Sequence, residues 1–513
     1  MNTDDHRSTP NPAPQMTLGG KRGSEFLGGH RCSSAVLLFA FACFLTSCTV
    51  GPDYVRPTAP MAAEFKETEG WKPAQPQDDL LRGAWWELYG DPDLNELEAQ
   101  VDVANQNLAT AEAQFRQARA LVWNARAAYY PTAAFGVSFT RSHQSGNLFG
   151  NLGGSGNNIS QYALPFSISW EPDLWGRVRR AVEANTASAQ ASAADLESTR
   201  LSLQTELAAD YFQLRALDGD IDLLNRTVEA YENSVRLTQS RFAGGVASRV
   251  DIAQAETQLE STRAQAIDLG VQRAQLEHAI AVLIGQPASN FTIAARPLTQ
   301  TPPDIPTGVP SELLERRPDV ASAERTAAAA NAQIGVATAA YYPTVTLSAE
   351  GGFESSHIAQ WLVWPSRFWS VGPSVTETIF DGGLRHAQTA QARAAFDASV
   401  ASYRQSVLAA FQEVEDNLAA LRILENESHV QADAVDAAQE SLRLTTNRYK
   451  EGTASYLDVV VTQTAALNNE RTAVDLLGRR MVANVRLVQA LGGGWNAADL
   501  PNDRELREGD SFF

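Results

Sequence analysis

The chain carries two kinds of apolar pattern, and each occurs twice. Segments rich in Ala, Gln and Glu, about 94–128 and 318–340, have helical character. Both lead to a tyrosine before proline, Tyr130 and Tyr342, which turns the backbone towards extended geometry. Period-two alternation then begins. Phe135, Val137 and Phe139 alternate with Gly136, Ser138 and Thr140, and Leu164, Phe166, Ile168 and Trp170 with Pro165, Ser167, Ser169 and Glu171. Farther on, Val345, Leu347 and Ala349 alternate with Thr346, Ser348 and Glu350, and Val371, Pro373 and Val375 with Gly372, Ser374 and Thr376. This predicts four strands in two hairpins, 133–171 and 344–380. Pro165 and Pro373 remove ladder donors, which predicts local bulges. After each hairpin an aspartate, Asp173 or Asp381, is placed to cap a helix. The helical patterns that follow, about 177–240 and 385–448, span roughly 96 Å at 1.5 Å per residue. Their many alanines suit close helix–helix approach. Gly245 and Gly452 supply left-handed residues that end these helices. Ser248-Arg-Val-Asp251 and Ser455-Tyr-Leu-Asp458 read as capping boxes that start the returning ones.

The doubling is a sequence repeat. Ala127-Ala-Tyr-Tyr-Pro-Thr132 recurs as Ala339-Ala-Tyr-Tyr-Pro-Thr344. Asp173-Leu-Trp-Gly-Arg177 pairs with Asp381-Gly-Gly-Leu-Arg385, and the stretch Arg241 to Asp251 with Arg448 to Asp458. Ordered anchors at near-constant offset mark a duplication. The expected organisation is repeat 1 over 91–295, a Pro-rich linker over 296–316, repeat 2 over 317–492 and a tail over 493–513. The helical tips fall near 243–250 and 450–457.

One strongly apolar run, Ala35 to Leu45, is about 16 Å long as a helix, too short to span a membrane. Lys21, Arg22 and Arg31 precede it and small residues follow, the order of a secretory signal over 1–47. Asp4 and Asp5 are unusual for such a signal, and Met16 is an alternative start. Leu45-Thr-Ser-Cys48 resembles the bacterial lipobox, which implies a lipid on Cys48 and an extended lipidated segment over 48–90. Thr49, rather than Asp, after that cysteine points to the outer membrane.

Composition narrows the function by exclusion. Lys plus Arg number 41 and Asp plus Glu 60, a net charge of −19. That opposes nucleic-acid binding. Removing the signal takes away four basic residues (Arg7, Lys21, Arg22, Arg31) and three acidic ones (Asp4, Asp5, Glu25), leaving −20 and Cys48 as the sole cysteine. No catalytic motif and no metal-ligand spacing is present. The alternation by itself fits a half-buried soluble sheet as well as membrane strands. Aromatic residues at the strand ends favour the membrane: Tyr129, Tyr130, Tyr341, Tyr342, Trp170 and Trp175 at one end, Trp361, Trp364, Phe368 and Trp369 towards the other. Four strands cannot close a barrel, so copies of the chain must share one. Two copies give about eight strands and three give twelve.

Cys48-Thr-Val-Gly-Pro-Asp-Tyr54 with Pro57, Trp86-Glu-Leu-Tyr-Gly-Asp91, Leu314-Glu-Arg-Arg-Pro-Asp319, Phe380-Asp-Gly-Gly383 and both helix turns resemble the TolC-like outer-membrane efflux channels, in particular the NodT-type lipoproteins. The resemblance implies a mainly α chain with a membrane β-barrel, in which three copies complete twelve strands above a long helical periplasmic tunnel. It implies a homotrimer that exports small molecules without catalysis or cofactor. Its partners would be a periplasmic adaptor (membrane-fusion) protein and an inner-membrane resistance–nodulation–division pump. Carried over by position, Arg241, Gly245, Val246, Ser248 and Asp251 belong to one tip that meets the adaptor and closes the gate. Arg448, Gly452, Thr453, Ser455, Leu457 and Asp458 belong to the other, with Leu457 in an apolar ring. Related channels often carry an aspartate and a basic residue where this chain has Val461 and Thr464, so a gate sealed by Leu457 and Val461 is expected. Glu377 is expected at the membrane interface. The alternatives are a protein-secretion channel of the same fold and a periplasmic coiled-coil adaptor lipoprotein.

Overall fold

A computed structural model describes residues 49–60, 65–67, 83–143, 158–305 and 313–508. Cys48, the signal segment, the glycine-rich loop after His143 and the last residues of the tail lie outside the described residues. Among the described residues no helix is long and apolar enough to cross a membrane.

The first repeat runs α1 (Pro92–Ala104), α2 (Gln106–Ala127), β1 (Thr132–Phe135), β2 (Ser138–His143), β3 (Asn158–Trp170), α3 (Arg177–Ala243) and α4 (Arg249–Leu283). The second runs α5 (Leu313–Arg316), α6 (Pro318–Ala339), β4 (Thr344–Ser355), β5 (Arg367–Thr376), α7 (Leu384–Lys450) and α8 (Tyr456–Ala490), with a last turn α9 (Glu505–Glu508). α3 and α7 have 67 residues each, about 100 Å of helix. α3 is the central strut, packing against α2, α4, α6 and α8.

Both long helices begin on a left-handed glycine, Gly176 (φ +78°) or Gly383 (φ +93°). The expected aspartates cap from a few residues upstream. Asp173 accepts from the backbone N–H groups of Val178 and Arg179 at 3.0 and 2.8 Å, and Asp381 from those of Gly383 and Arg385 at 2.9 and 3.2 Å. The returning helices also end alike. Gly285 (φ +70°) and Gly492 (φ +92°) press against the carbonyls of Ala104 and Arg316, so close that a side chain would collide with backbone.

The antiparallel sheet has the order β1–β3–β4–β5, with β2 also on β3. β1 and β2 are one strand position interrupted at Gly136 and Val137. The expected bulges at Pro165 and Pro373 are absent. Phe135 faces Phe166 and Ser138 faces Ala163 in one unbroken register, and Thr344–Thr376 through Phe353–Arg367 keep another. Glycine absorbs the missing donor of Pro165 instead: Gly352, directly opposite, has the Leu164 carbonyl where a Cβ would stand. Directly opposed residues share a face. Phe135, Phe166, Gly351 and Trp369 form one row, and Ile168, Ala349 and Val371 the next. The other face carries Ser167, Glu350 and Ser370, then Ser169, Ser348 and Gly372. Glu377 lies just past the end of β5, outside the sheet.

The main core sits midway along the helices. Trp85, Tyr89, Leu94, Tyr211, Phe212, Ile280, Leu418 and Val485 are buried together there. The chain after α4 is sewn onto it: Arg215 donates to the Ala294 carbonyl at 2.6 Å, and Arg296 bonds Asp91 at 2.6 Å and Tyr211 Oη at 2.8 Å. Burial opposes charge on Asp91, yet hydrogen bonds from the Tyr211 hydroxyl, at 2.8 Å, and from Arg296 hold its carboxyl below the usual range. Glu98 in the same core is fully buried, and among the described residues neither oxygen has a partner. Burial, then the charge of Asp102, pushes its carboxyl well above the ordinary carboxylate range.

Candidate functional site: the paired helical tips

At the α3–α4 turn, Gly245 is left-handed (φ +75°), and its N–H donates to Phe242 O while that of Val246 donates to Arg241 O, both at 2.9 Å. At the α7–α8 turn Gly452 (φ +79°) donates to Tyr449 O at 3.0 Å and Thr453 to Arg448 O at 2.9 Å. Both returning helices start with a complete capping box. Asp251 N–H donates to Ser248 Oγ (3.2 Å) and Ser248 N–H to Asp251 (2.7 Å), while the Ser455–Asp458 pair gives 3.3 and 2.9 Å. The Ser455 hydroxyl also donates to Asp458 at 2.8 Å. These bonds hold the Asp458 carboxyl below its ordinary value.

The expected tip residues are therefore gathered at two adjacent turns, and the turns are joined side by side. Arg241 donates to the Lys450 carbonyl at 2.8 Å and lays its guanidinium 4.7 Å from the Tyr449 ring. Tyr449 and Tyr456 are buried edge to face at 5.3 Å. Tyr231, Val235, Ala255, Leu259 and Val459 complete this cluster, drawn from α3, α4 and α8. Polar bonds bracket it. Gln258 Nε2 donates to Tyr231 Oη (3.4 Å) and Thr464 Oγ1 (3.2 Å), and Gln463 Nε2 to Ser234 Oγ (3.2 Å). Burial, then the neighbouring tyrosines and Asp251, pushes the Tyr456 hydroxyl up to about 12.

Val246, Leu457 and Val461 remain in solvent; Leu457 is 54% and Val461 60% exposed. The last two are one turn apart on α8 and share a face. Arg448 points outward, near enough to Asp458 to favour its charge. Sequence reading missed the buried tyrosines and the cross-tip glutamines. A signal was present: Phe242 and Arg249 of the first repeat become Tyr449 and Tyr456 in the second.

At the opposite end, Tyr129 and Tyr130 precede β1, Tyr341 and Tyr342 precede β4, and Trp170 ends β3. Trp170 Nε1 donates to the Tyr129 carbonyl at 3.0 Å, and Trp175 stacks on Tyr342 at 4.9 Å. Trp369 stands in β5 towards the far edge of the sheet, opposite Gly351 and 76% exposed. Among the described residues no group of three or more His, Cys, Asp or Glu could hold a metal ion.

The family model described as outer membrane efflux protein matches residues 90–286 and 309–493. The toluene efflux pump outer membrane protein TtgF of Pseudomonas putida is 32% identical over 468 residues, covering 90% of this chain and 97% of that one. Nodulation protein T of Rhizobium leguminosarum bv. viciae is 31% identical over 471 residues, with 90% and 94% covered. The solved outer-membrane channel OprN superimposes with a TM-score of 0.81 at 32% identity, over 87% of this chain and all of that one. A structure of CusC gives 0.76 at 26% identity over the same share of this chain. With these matches and this fold, the chain belongs to the outer membrane efflux protein family.

Proposed function

We propose that this protein is the outer-membrane channel of a tripartite efflux system. Three copies close one barrel of twelve strand positions, and their helices continue as a tube into the periplasm. A lipid on Cys48 anchors each copy. Small molecules, such as drugs or toxic solvents, pass through without chemistry or cofactor. An inner-membrane pump supplies the energy, and a periplasmic adaptor meets the helical tips.

The observation that carries this reading is the sheet. One face is mainly apolar in register across the strand positions, the other mainly polar, and among the described residues both edges are open. Open edges leave N–H and C=O groups unpaired, which hydrocarbon does not tolerate. Edge-to-edge closure with further copies pairs them and encloses the polar face around water. Leu457 and Val461 are the residues we assign to the gate, as an apolar ring that excludes water at the tube's end. Planar-bilayer conductance of the purified protein tests both parts. A channel with low resting conductance is expected, and Val461→Asp should raise that conductance and its preference for cations. No conductance in wild type would refute the channel, and an unchanged Val461→Asp would refute the gate.

A further inference from the structure

Where the helices meet the sheet, the chain holds more arginine than its carboxylates engage. Arg177 pairs with Glu171, Arg180 with Asp53 and Glu183, Arg325 with Glu324, and Arg507 with Asp503. Asp173 directs both oxygens to the backbone N–H groups that open α3. Two arginines, Arg126 and Arg179, have no ion-pair partner among the described residues, and they converge on one phenol.

Arg179 stands in the first turn of α3. It donates to Thr49 Oγ1 at 2.7 Å, and its charge acts on the Tyr129 hydroxyl. Arg126 stands in the last turn of α2, with its guanidinium 5.6 Å from the Trp123 ring. Its charge acts on the same Tyr129 hydroxyl, and its Nη1 is buried with no hydrogen-bond partner among the described residues. A buried guanidinium N–H left unmet is costly, so a built donor of this kind calls for an anion. Asp173 also faces Tyr129, one anion against two cations. Beside Tyr129 and Arg179 lies a cavity of about 360 Å³ that Thr186 also lines, together with Glu183 and Asp503, whose charges Arg180 and Arg507 already engage. The Thr186 hydroxyl is likewise buried and unpartnered.

The position identifies the anion. Tyr129 lies three residues before β1 and is tied to Trp170 at the end of β3, and Thr49 directly follows the expected acylation site. On the outer-membrane reading proposed above, these arginines stand at headgroup depth, where phosphate is the abundant anion and arginine binds it bidentately. We propose that Arg126, Arg179 and the Tyr129 hydroxyl form a phosphate-binding site, filled in the membrane by the headgroup phosphate of a phospholipid. The two guanidinium groups and the phenol O–H all donate to the phosphate oxygens. Since Arg179 also holds Thr49, lipid binding and the seat of the N-terminal segment are coupled through one side chain.

The test uses the full lipidated protein in detergent with added phosphatidylglycerol, read by native mass spectrometry. Wild type is expected to retain the lipid, and Arg126→Gln/Arg179→Gln to lose about tenfold in retention. Arg226→Gln, an exposed arginine elsewhere on α3, should change nothing. Equal retention in wild type and the double variant would overturn the site. Displacement of the lipid by excess inorganic phosphate would overturn the lipid as occupant in favour of free phosphate. A phospholipid with a photoreactive headgroup, applied to wild type, covers the case in which the double variant does not assemble. Labelling within residues 123–130 or 177–186 supports the site, and labelling confined elsewhere overturns it. Conductance of the same preparation reads the channel separately. Wild type that conducts but does not retain the lipid sinks only the site, and wild type that does not conduct sinks the underlying channel reading.

Discussion

At the first tip Phe242 stands in solvent, whereas the equivalent Tyr449 of the second tip is buried beneath Arg241. Arg249 of the first tip is exposed, whereas the equivalent Tyr456 is buried against α3 and α4. Yet the two turns share the same left-handed glycine, the same closing hydrogen bonds and the same capping box. Duplication has thus preserved the backbone and let the side chains diverge. The second tip became the one docked, and the first became its seat. A turn needs only local geometry, which both copies inherit. The docking contact instead depends on side chains in which the two copies differ, Tyr449 and Tyr456 against Phe242 and Arg249.

Breaking the buried side of this comparison should have the largest effect. Tyr449→Ala opens a cavity between the hairpins and is expected to cost about 3 kcal/mol, while Phe242→Ala costs under about 0.5 kcal/mol. Denaturant unfolding checks the pair, and faster hydrogen exchange over residues 445–460 should accompany the first variant alone. Next come the glycines. Gly245→Ala and Gly452→Ala are each expected to cost about 1 kcal/mol, since positive φ penalises any Cβ. Nothing crowds Gly245, and Gly452 has only Arg241 Nη2 at 3.7 Å from the added carbon. Unequal costs in thermal unfolding would show that the two backbones are not equivalent.

The arginines give a similar but directional contrast. Arg241→Ala removes a cross-tip hydrogen bond and a cation–π contact, about 1 kcal/mol, and should raise resting conductance. Arg448→Ala should leave both nearly unchanged. The smallest effect is acid sensitivity at the second tip. The Asp458 carboxyl lies below its ordinary 3.8, so its contribution is complete above that value and is lost as pH falls through the lowered one. Hydrogen exchange at 455–459 should therefore quicken as pH falls below about 4, after correction for the intrinsic rate, and Asp458→Asn should show no such pH step.

Much of this architecture was legible because its signals lie between neighbours in the chain. Alternation marked the strands, Ser-x-x-Asp and glycine marked the turns, and a proline after tyrosine marked the passage from helix to strand. Pro165 was misread. A proline in a central strand removes one donor, and a bulge is one answer, but here Gly136 and Gly352 flank it and allow a close approach without a change of register. That answer depends on residues 29 and 187 positions away from it in the sequence and the pairing that brings them together. The tip site was legible only in its backbone. Leu457 and Val461 could be placed on one helix face from their spacing, but the partners of Arg241, Tyr449 and Gln258 lie on other helices.

By itself, then, the sequence determined the repeats, the strand faces, the long hairpins and the caps, since each follows from backbone preference and spacing within a few residues. Tertiary structure alone decided which tip docks on which, which acids each arginine engages, and where a guanidinium is left without a partner. Those outcomes depend on side chains brought together from helices far apart in the chain, and burial sets their energy.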